Sequence, residues 1–351
     1  MLDREYIGNL HIHSTYSDGT STIEEIAAAA GRAGIHFVGI NDHFTLRGLK
    51  EGKEGWRDRV AVLVGCEINE RYNHYLAYNI KDEIPNDTAE PQNVIDAVNR
   101  EGGFGFIAHP YELGSPLHDG GAAFNWLRWD VNGYTGISIW NFSSIWKGNA
   151  RNYPLGLYYY YNIGAADLDP LRDAMAKWDE LLQTRKVVAI GTSDNHGMNV
   201  KALLGLIRGK IFDYEYACRA VNTHILLNGE LPEDFQAAKQ AIYDALRHGH
   251  CFVGNSLFEN ARGFRFYAEP KSGITEMGDD GSLADSPVLV VKSPARAHIR
   301  FIHSGRIVKE ELSTSSSFKP DSPGPYRVEL HLPRPRGKTR AWIYSNPIYL
   351  A

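Results

Sequence analysis

Residues 7–43, IGNLHIHSTYSDGTSTIEEIAAAAGRAGIHFVGINDH, decide how the chain is read. IGNLHIHS reads as a strand, and STIEEIAAAAGRAG as a helix whose start is marked by Ser21 and Glu24 at capping-box spacing. IHFVGIND is a second apolar, branched run, so the segment reads strand, capped helix, strand. The pattern then continues. AVLVGCEI, HYLAYNI, FGFIAHP, YTGISIWN and VVAIGTSD read as strands, and PQNVIDAVNREGG and DPLRDAMAKWDELLQTRK as helices. Seven or so strands alternating with helices imply an α/β fold, with a mainly parallel sheet that closes or nearly closes into a barrel.

Beyond the helix QAAKQAIYDALRHGH the period changes. RGFRFYAE, PVLVVKSP, HIRFIHSGRIVKEE, PYRVELHLP and TRAWIYSNP are short, alternating and separated by Pro, Gly and Ser. They predict an antiparallel β-sandwich of about 90 residues, of immunoglobulin-like size. The boundary falls between Asn255 and Arg262, giving expected domains 1–258 and 259–351. Ser313 to Ser317 reads as a loop. Between His118 and Tyr161 lie four of the seven tryptophans and the run Tyr158 to Tyr161. Such density reads as an excursion packed on the barrel, or as the lining of a substrate pocket.

With 43% hydrophobic and 23% charged residues, the composition is that of an ordinary soluble protein. A net charge of -5 argues against a large nucleic-acid groove. No run approaches the ~20 apolar residues that span a bilayer, and no signal-like start is seen. A cytoplasmic protein without membrane partners is the expectation. Cys66, Cys218 and Cys251 form no CxxC pair and read as buried thiols.

The chemistry concentrates where apolar runs end. His11 and His13 stand two apart on a strand, hence on one face, with Asp18 in the SDG turn that follows. His43 closes VGINDH, Glu67 closes VLVGCE, His109 closes FGFIAH, and Asp194 with His196 closes VAIGTSDNH, while His74 opens HYLAYNI. In α/β barrels the carboxyl ends of strands converge on one mouth. Unpaired charges there would cost several kcal/mol, which bound cations would offset. Six His, two Asp and one Glu so placed therefore predict a metal site. Mixed imidazole and carboxylate ligation suits Mn, Fe or Zn. The other histidines read as structural, with His224 lacking any evident partner, except that His118, in the loop GSPLHDGG, is placed to reach substrate.

HIHSTYSDG, NDH, GCEIN, FIAHP and GTSDNH together resemble the successive motifs of the polymerase and histidinol phosphatase superfamily, the PHP phosphoesterases. The resemblance implies a distorted (β/α)7 barrel, TIM-like, with a trinuclear site. On that pattern His11, His13, Glu67 and Asp194 would hold one metal, and Glu67 would bridge to a second completed by His74 and His109. Asp18, His43 and His196 would hold a third. The tail SNPIYL and the sandwich also resemble a subgroup related to carbaryl hydrolases, which cleave a carbamate ester.

The expected reaction is hydrolysis of a small-molecule phosphate ester by a hydroxide held between two cations. Glu67, Asp194 and His196 are the catalytic candidates, and Arg71, Arg47 and His118 the candidate substrate contacts. Asp42 is expected to orient a ligand imidazole. The alternatives are a carboxyl or carbamate ester hydrolase, and a metal-binding scaffold without activity.

Overall fold

The computed structural model of the chain describes residues 2–197, 199–202, 207–210, 212–271 and 273–351. Its contacts fall into two units. One comprises residues 7–171 and 191–222, the other residues 1–6, 172–190 and 223–351. No single cut near residue 258 produces this partition. The Asn346 amide shows why residues 172–190 group with the carboxy-terminal strands: it accepts from Ala189 N at 2.8 Å and donates to Ala189 O at 3.0 Å.

The first unit carries β1 (Arg4–Ile12) from Ile7 onward, α1 (Ile23–Ala33), β2 (Phe37–Ile40), α2 (Arg47–Lys50), β3 (Gly55–Arg57), β4 (Val60–Val64), β5 (Cys66–Ile68), β6 (Tyr75–Tyr78), α3 (Pro91–Arg100), β7 (Phe104–Ile107), β8 (Gly136–Asn141), α4 (Phe142–Asn149), α5 (Tyr153–Tyr161) and the end of β9 (Val188–Asn195). β1 pairs in parallel with β2 and β9, and β2 with β4. β7 and β8 are also parallel, but β6 runs antiparallel to both β5 and β7. The mainly parallel sheet expected is thus interrupted by reversed pairings, at β6 and at the short β3, which runs antiparallel to β4. The six residues between β5 and β6 are too few for a parallel crossover, which needs about a dozen. The single run read as AVLVGCEI also breaks, at Gly65, where any Cβ would meet Ala77 O at 2.3 Å.

The cap of α1 lies one residue later than Ser21 and Glu24. Thr22 Oγ1 accepts from Glu25 N and Glu25 Oε2 accepts from Thr22 N, the same three-residue spacing in the next register. Ile26, Phe37, Ile40, Leu63, Leu76 and Phe106 are fully buried in this unit. Each such side chain contributes ~1.5–3 kcal/mol on leaving water. In the aromatic stretch Trp126, Trp140 and Trp146 are buried, whereas Tyr153, Tyr158 and Tyr161 of α5 face solvent. No helix among the described residues is long and apolar enough to cross a membrane.

In the second unit the carboxy-terminal strands pair antiparallel, apart from the parallel contact of Asp280–Gly281 with Ile348–Leu350. Phe252, Phe266, Phe301, Val328, Leu330 and Trp342 form their core. Strand Val288–His303 runs on to a two-residue turn, Ser304 (φ 50) and Gly305 (φ 72), and returns as Arg306–Phe318. Ser313 to Ser317 are therefore strand rather than loop, because pairing to Val290, Val291, Lys292 and Ala297 overrides their weak strand preference. Cys66, Cys218 and Cys251 are free and buried, as their neighbours suggested.

Glu5, His224 and Arg265 form an ion cluster in this unit, at 2.8 Å from Glu5 in both cases. Burial works against the Glu5 carboxylate, but His224 and Arg265 outweigh it and hold its pKa down to about 2. A depressed carboxyl stabilises the fold above its unfolded pKa and loses that effect as pH falls through its folded value. Glu5→Gln should cost about 2–3 kcal/mol at pH 6. In denaturant titrations the gap to wild type should close as pH drops from about 4.5 toward 2. A gap independent of pH would exclude the ion pairing.

Candidate metal centre

Three of the nine candidate donors sit on left-handed backbone, His11 (φ 68), His109 (φ 25) and Asp194 (φ 50). Non-glycine residues rarely adopt this region, and it costs of order 1–3 kcal/mol each. His11 lies where β1 shifts register against both β2 and β9. The pair His11 and His13 therefore converges through a bulge and a strand end, since β1 stops at Ile12, and not through simple alternation along a straight strand.

The donors gather in three sets. In the first, His11 Nε2 lies 2.8 Å from Glu67 Oε2 and 3.2 Å from Asp194 Oδ1, and His13 Nε2 lies 3.1 and 3.3 Å from the same two oxygens. Donors ~2.1 Å from one tetrahedral cation would stand ~3.4 Å apart, so this set already approaches that spacing. In the second, Glu67 Oε1 faces His74 Nδ1 at 2.8 Å and His109 Nε2 at 3.3 Å. In the third, Asp18 Oδ2 faces His196 Nε2 at 3.3 Å and His43 Nε2 at 3.7 Å, with His13 Nδ1 3.5 Å from Asp18 Oδ1. Glu67 thus presents one oxygen to each of two sets.

Backbone carbonyls fix two of the rings. His74 Nε2 donates to Glu70 O, which turns Nδ1 toward Glu67. His196 Nδ1 donates to Asp194 O, which turns Nε2 toward Asp18. Outer partners of this kind select the tautomer of a metal-binding histidine. The His13 Nε2 and His43 Nδ1 atoms are buried and make no well-directed hydrogen bond, although carboxylate oxygens lie 3.1 and 3.5 Å away, an arrangement that suits a cation between them.

Electrostatics leads to the same place. Burial opposes the charge on Glu67 and Asp194, yet the surrounding imidazoles hold both well below the usual carboxylate range. Burial disfavours a charged His13, but Asp194 and Glu67 outweigh it and push its pKa up to about 10. His109 rises to about 9 against the same burial, through Glu67 and Asp194. Burial takes His43 down to about 4. Protons on His13 and His109 are what divalent cations would displace, so the donor set fits such ions.

Asp42 does not orient an imidazole. Its Oδ1 accepts from Ser14 N at 2.7 Å and Ser17 Oγ at 2.6 Å, and its Oδ2 from Ser14 Oγ at 2.6 Å. Asp42 thereby ties down the turn that delivers Asp18, while His43 follows it in the chain. Gly19 closes that turn, where a Cβ would strike His13 O at 2.2 Å. Asp42→Asn puts an N–H against these donors, and should loosen the third set most and lower metal affinity or activity ~10–100-fold. Metal content would read this, and unchanged content with unchanged turnover would refute it.

A cleft of about 730 Å³ opens over the sets and is lined by Asp18, His43, Glu67, His74, His109, Asp194 and His196. Arg71 and His118 also line it, but Arg47 does not; its guanidinium pairs with Glu51 at 3.3 Å and lies over the Tyr16 ring. Sequence reading missed Glu112, Phe124, Ser143, Lys147, Asn195 and Phe212 on the same walls. No spacing signals them, because Glu112 and Lys147 pair at 3.0 Å across 35 residues of chain. His224, without a partner on the sequence, pairs with Glu5 at 219 residues' remove.

The PHP domain family matches residues 9–116. The uncharacterized protein MJ1587 of Methanocaldococcus jannaschii is 30% identical over 115 residues, which cover 29% of this chain and 67% of that one. The phosphoribosyl 1,2-cyclic phosphate 1,2-diphosphodiesterase of Eggerthella lenta is 33% identical over 86 residues, 22% of this chain and only 33% of that enzyme. Among solved structures, a two-domain protein containing a predicted PHP-like metal-dependent phosphoesterase from Bacteroides vulgatus aligns with 98% of this chain and 95% of its own, at 14% identity and a TM-score of 0.46. By the match over residues 9–116 and the relative two-thirds covered at 30% identity, the chain belongs to the PHP domain family.

Proposed function

We propose that the chain is a metal-dependent hydrolase, and specifically a phosphoesterase acting on a small-molecule phosphate ester at a trinuclear site. The carrying observation is Glu67, buried and shared by two donor sets through separate oxygens. Two or three divalent cations, Mn, Fe or Zn, would supply Lewis acidity and lower the pKa of a water at this point. His11, His13, Glu67 and Asp194 would hold one, Glu67, His74 and His109 the second, and Asp18, His43 and His196 the third, with His13 Nδ1 close to that last set.

The residues themselves do the positioning. Strained backbone at His11, His109 and Asp194 fixes their directions before any ligand arrives. Glu67 and Asp194 stay ionised, so no proton need leave them when cations enter. Three divalent cations against the carboxylates of Asp18, Glu67 and Asp194 would leave the cleft floor positive. That excess favours an anionic phosphate ester over a neutral carbamate. The Eggerthella relative, named as a phosphodiesterase, supports the same choice.

Purified protein loaded with Mn should be assayed against naphthyl phosphate and a naphthyl carbamate. The phosphate is expected to turn over at least ~10-fold faster. The reverse preference would favour the carbamate ester reading, and no turnover of either by metal-loaded protein would favour a scaffold.

A further inference from the structure

The outward face of α5 is apolar where a surface helix is ordinarily polar. Asn152 starts the helix, its Oδ1 accepting from Leu155 N at 2.9 Å, and Pro154 follows in the first turn. Side chains four apart share a helix face. Leu155 and Tyr159 are half-buried and Gly156 is buried, where a Cβ would come 3.5 Å from that of Ala150, so this face rests on the unit. Turned the other way, Tyr153, Leu157 and Tyr161 form a stripe at positions i, i+4 and i+8, exposed to 71%, 53% and 75%, with Tyr158 beside it at 52%. A helix apolar on both faces is normally covered on both.

Charge, residue order and area point to one occupant. Residues 152–166 carry no charged side chain. A helix lying in a membrane surface carries Lys or Arg on its flanks, and a nucleic-acid face needs them too, so neither partner suits α5. The order Tyr, Leu, Tyr at equal spacing reads the same in either direction. Two copies of α5 crossing antiparallel at Leu157 would set each Leu157 on its own counterpart and each Tyr153 on the other copy's Tyr161. A two-fold contact demands this kind of self-complementarity. Tyrosine hydroxyls both donate and accept, and no charge would meet its like across the axis. With Pro154 and Tyr158 the stripe exposes on the order of 500 Å² per copy, over half of the ~800 Å² that each side of a standard interface buries.

We propose that α5 is a homodimer contact, in which a second copy of this chain docks on the stripe Tyr153, Leu157 and Tyr161 as an antiparallel helix pair with its two-fold axis beside Leu157. The i±4 ridges of the two helices interdigitate there, the commonest way in which helices pack. The contact is independent of which ester the cleft takes.

The test is sedimentation of the full chain over a concentration series, joined to cysteine cross-linking. An interface of this size implies a micromolar dissociation constant, so wild type should approach twice the monomer mass by about 100 μM. Leu157→Glu sets like charges against each other at the axis and should weaken the dimer at least ~100-fold. Leu157 is half exposed, so its replacement empties no core. Leu157→Cys should form a disulfide-linked dimer under mild oxidation, with Cys66, Cys218 and Cys251 buried and out of competition. Tyr153 lies four residues from the axis, which puts it ~12 Å from its own counterpart, so Tyr153→Cys should not link to itself. Wild type that stays monomeric at the top of the series would overturn the proposal, and retention of that monomer on phosphatidylcholine vesicles would give the face to a membrane instead. A dimer that Leu157→Glu leaves intact, or one that Tyr153→Cys links as readily as Leu157→Cys, would overturn it as well.

Discussion

Glu67→Gln is expected to lower turnover by at least ~10³-fold, about 4 kcal/mol of lost transition-state stabilisation, and to weaken two metal positions at once. The reason is geometric. Glu67 Oε2 lies 2.8 Å from His11 and 3.1 Å from His13, while Oε1 lies 2.8 Å from His74 and 3.3 Å from His109. An amide has no charge and offers one acceptor oxygen, so it can serve at most one of the two sets. The burial of the side chain, 1% exposed, leaves water no room to substitute. Metal analysis and kinetics on the same preparation check this, with His303 as the control position. His303 stacks on Tyr326 at 4.2 Å within the other unit, and its replacement should leave metal content intact. Near-normal turnover in Glu67→Gln would exclude the shared role.

The second large effect belongs to stability. Arg327 is 3% exposed and lies between Asp179, at 2.7 and 2.8 Å, and Glu329, at 2.6 Å, with its guanidinium over the Trp178 ring. Arg327→Met would strand two carboxylates that have little solvent, a loss of ~3–5 kcal/mol for breaking a buried ion pair. Burial alone would raise Glu329, yet Arg327 and His331 hold it at about 2, so its charge depends on these partners. Thermal melts should show a drop of roughly 6–20 °C. Metal content measured below the transition should not change, because all nine donors lie in the other unit. A melting point within ~1 °C of wild type would contradict the reading.

What the sequence made legible, and what it did not, follows from how far apart the interacting residues lie. All the donors but Asp18 could be picked out because each stands at the end of an apolar run, which is a local signal, and Asp18 because the SDG turn follows His13 so closely. Their partition among three sets came from resemblance alone. The bulge at His11, which aims that ring, depends on register with β2 and β9 and leaves no mark in a strand of ordinary composition. The reversal of β6 was hidden because HYLAYNI has the same apolar character whichever way it runs. Ser21 and Thr22 carry interchangeable cap chemistry one register apart, so spacing alone could not choose between them. Asp42 was recognised as a supporting residue but given the wrong partner, since the serines it binds lie 25 and 28 residues earlier. Lys147 and Glu112 went unread for the same reason, each being an ordinary surface-type residue until the fold buries them together.

Anomalous scattering from crystals of Mn-loaded protein tests the central claim most directly. Peaks are expected within the set His11, His13, Glu67 and Asp194 and within the set Glu67, His74 and His109, with a third beside Asp18, His43 and His196. Manganese bound elsewhere, with these three positions empty at saturating metal, would contradict it.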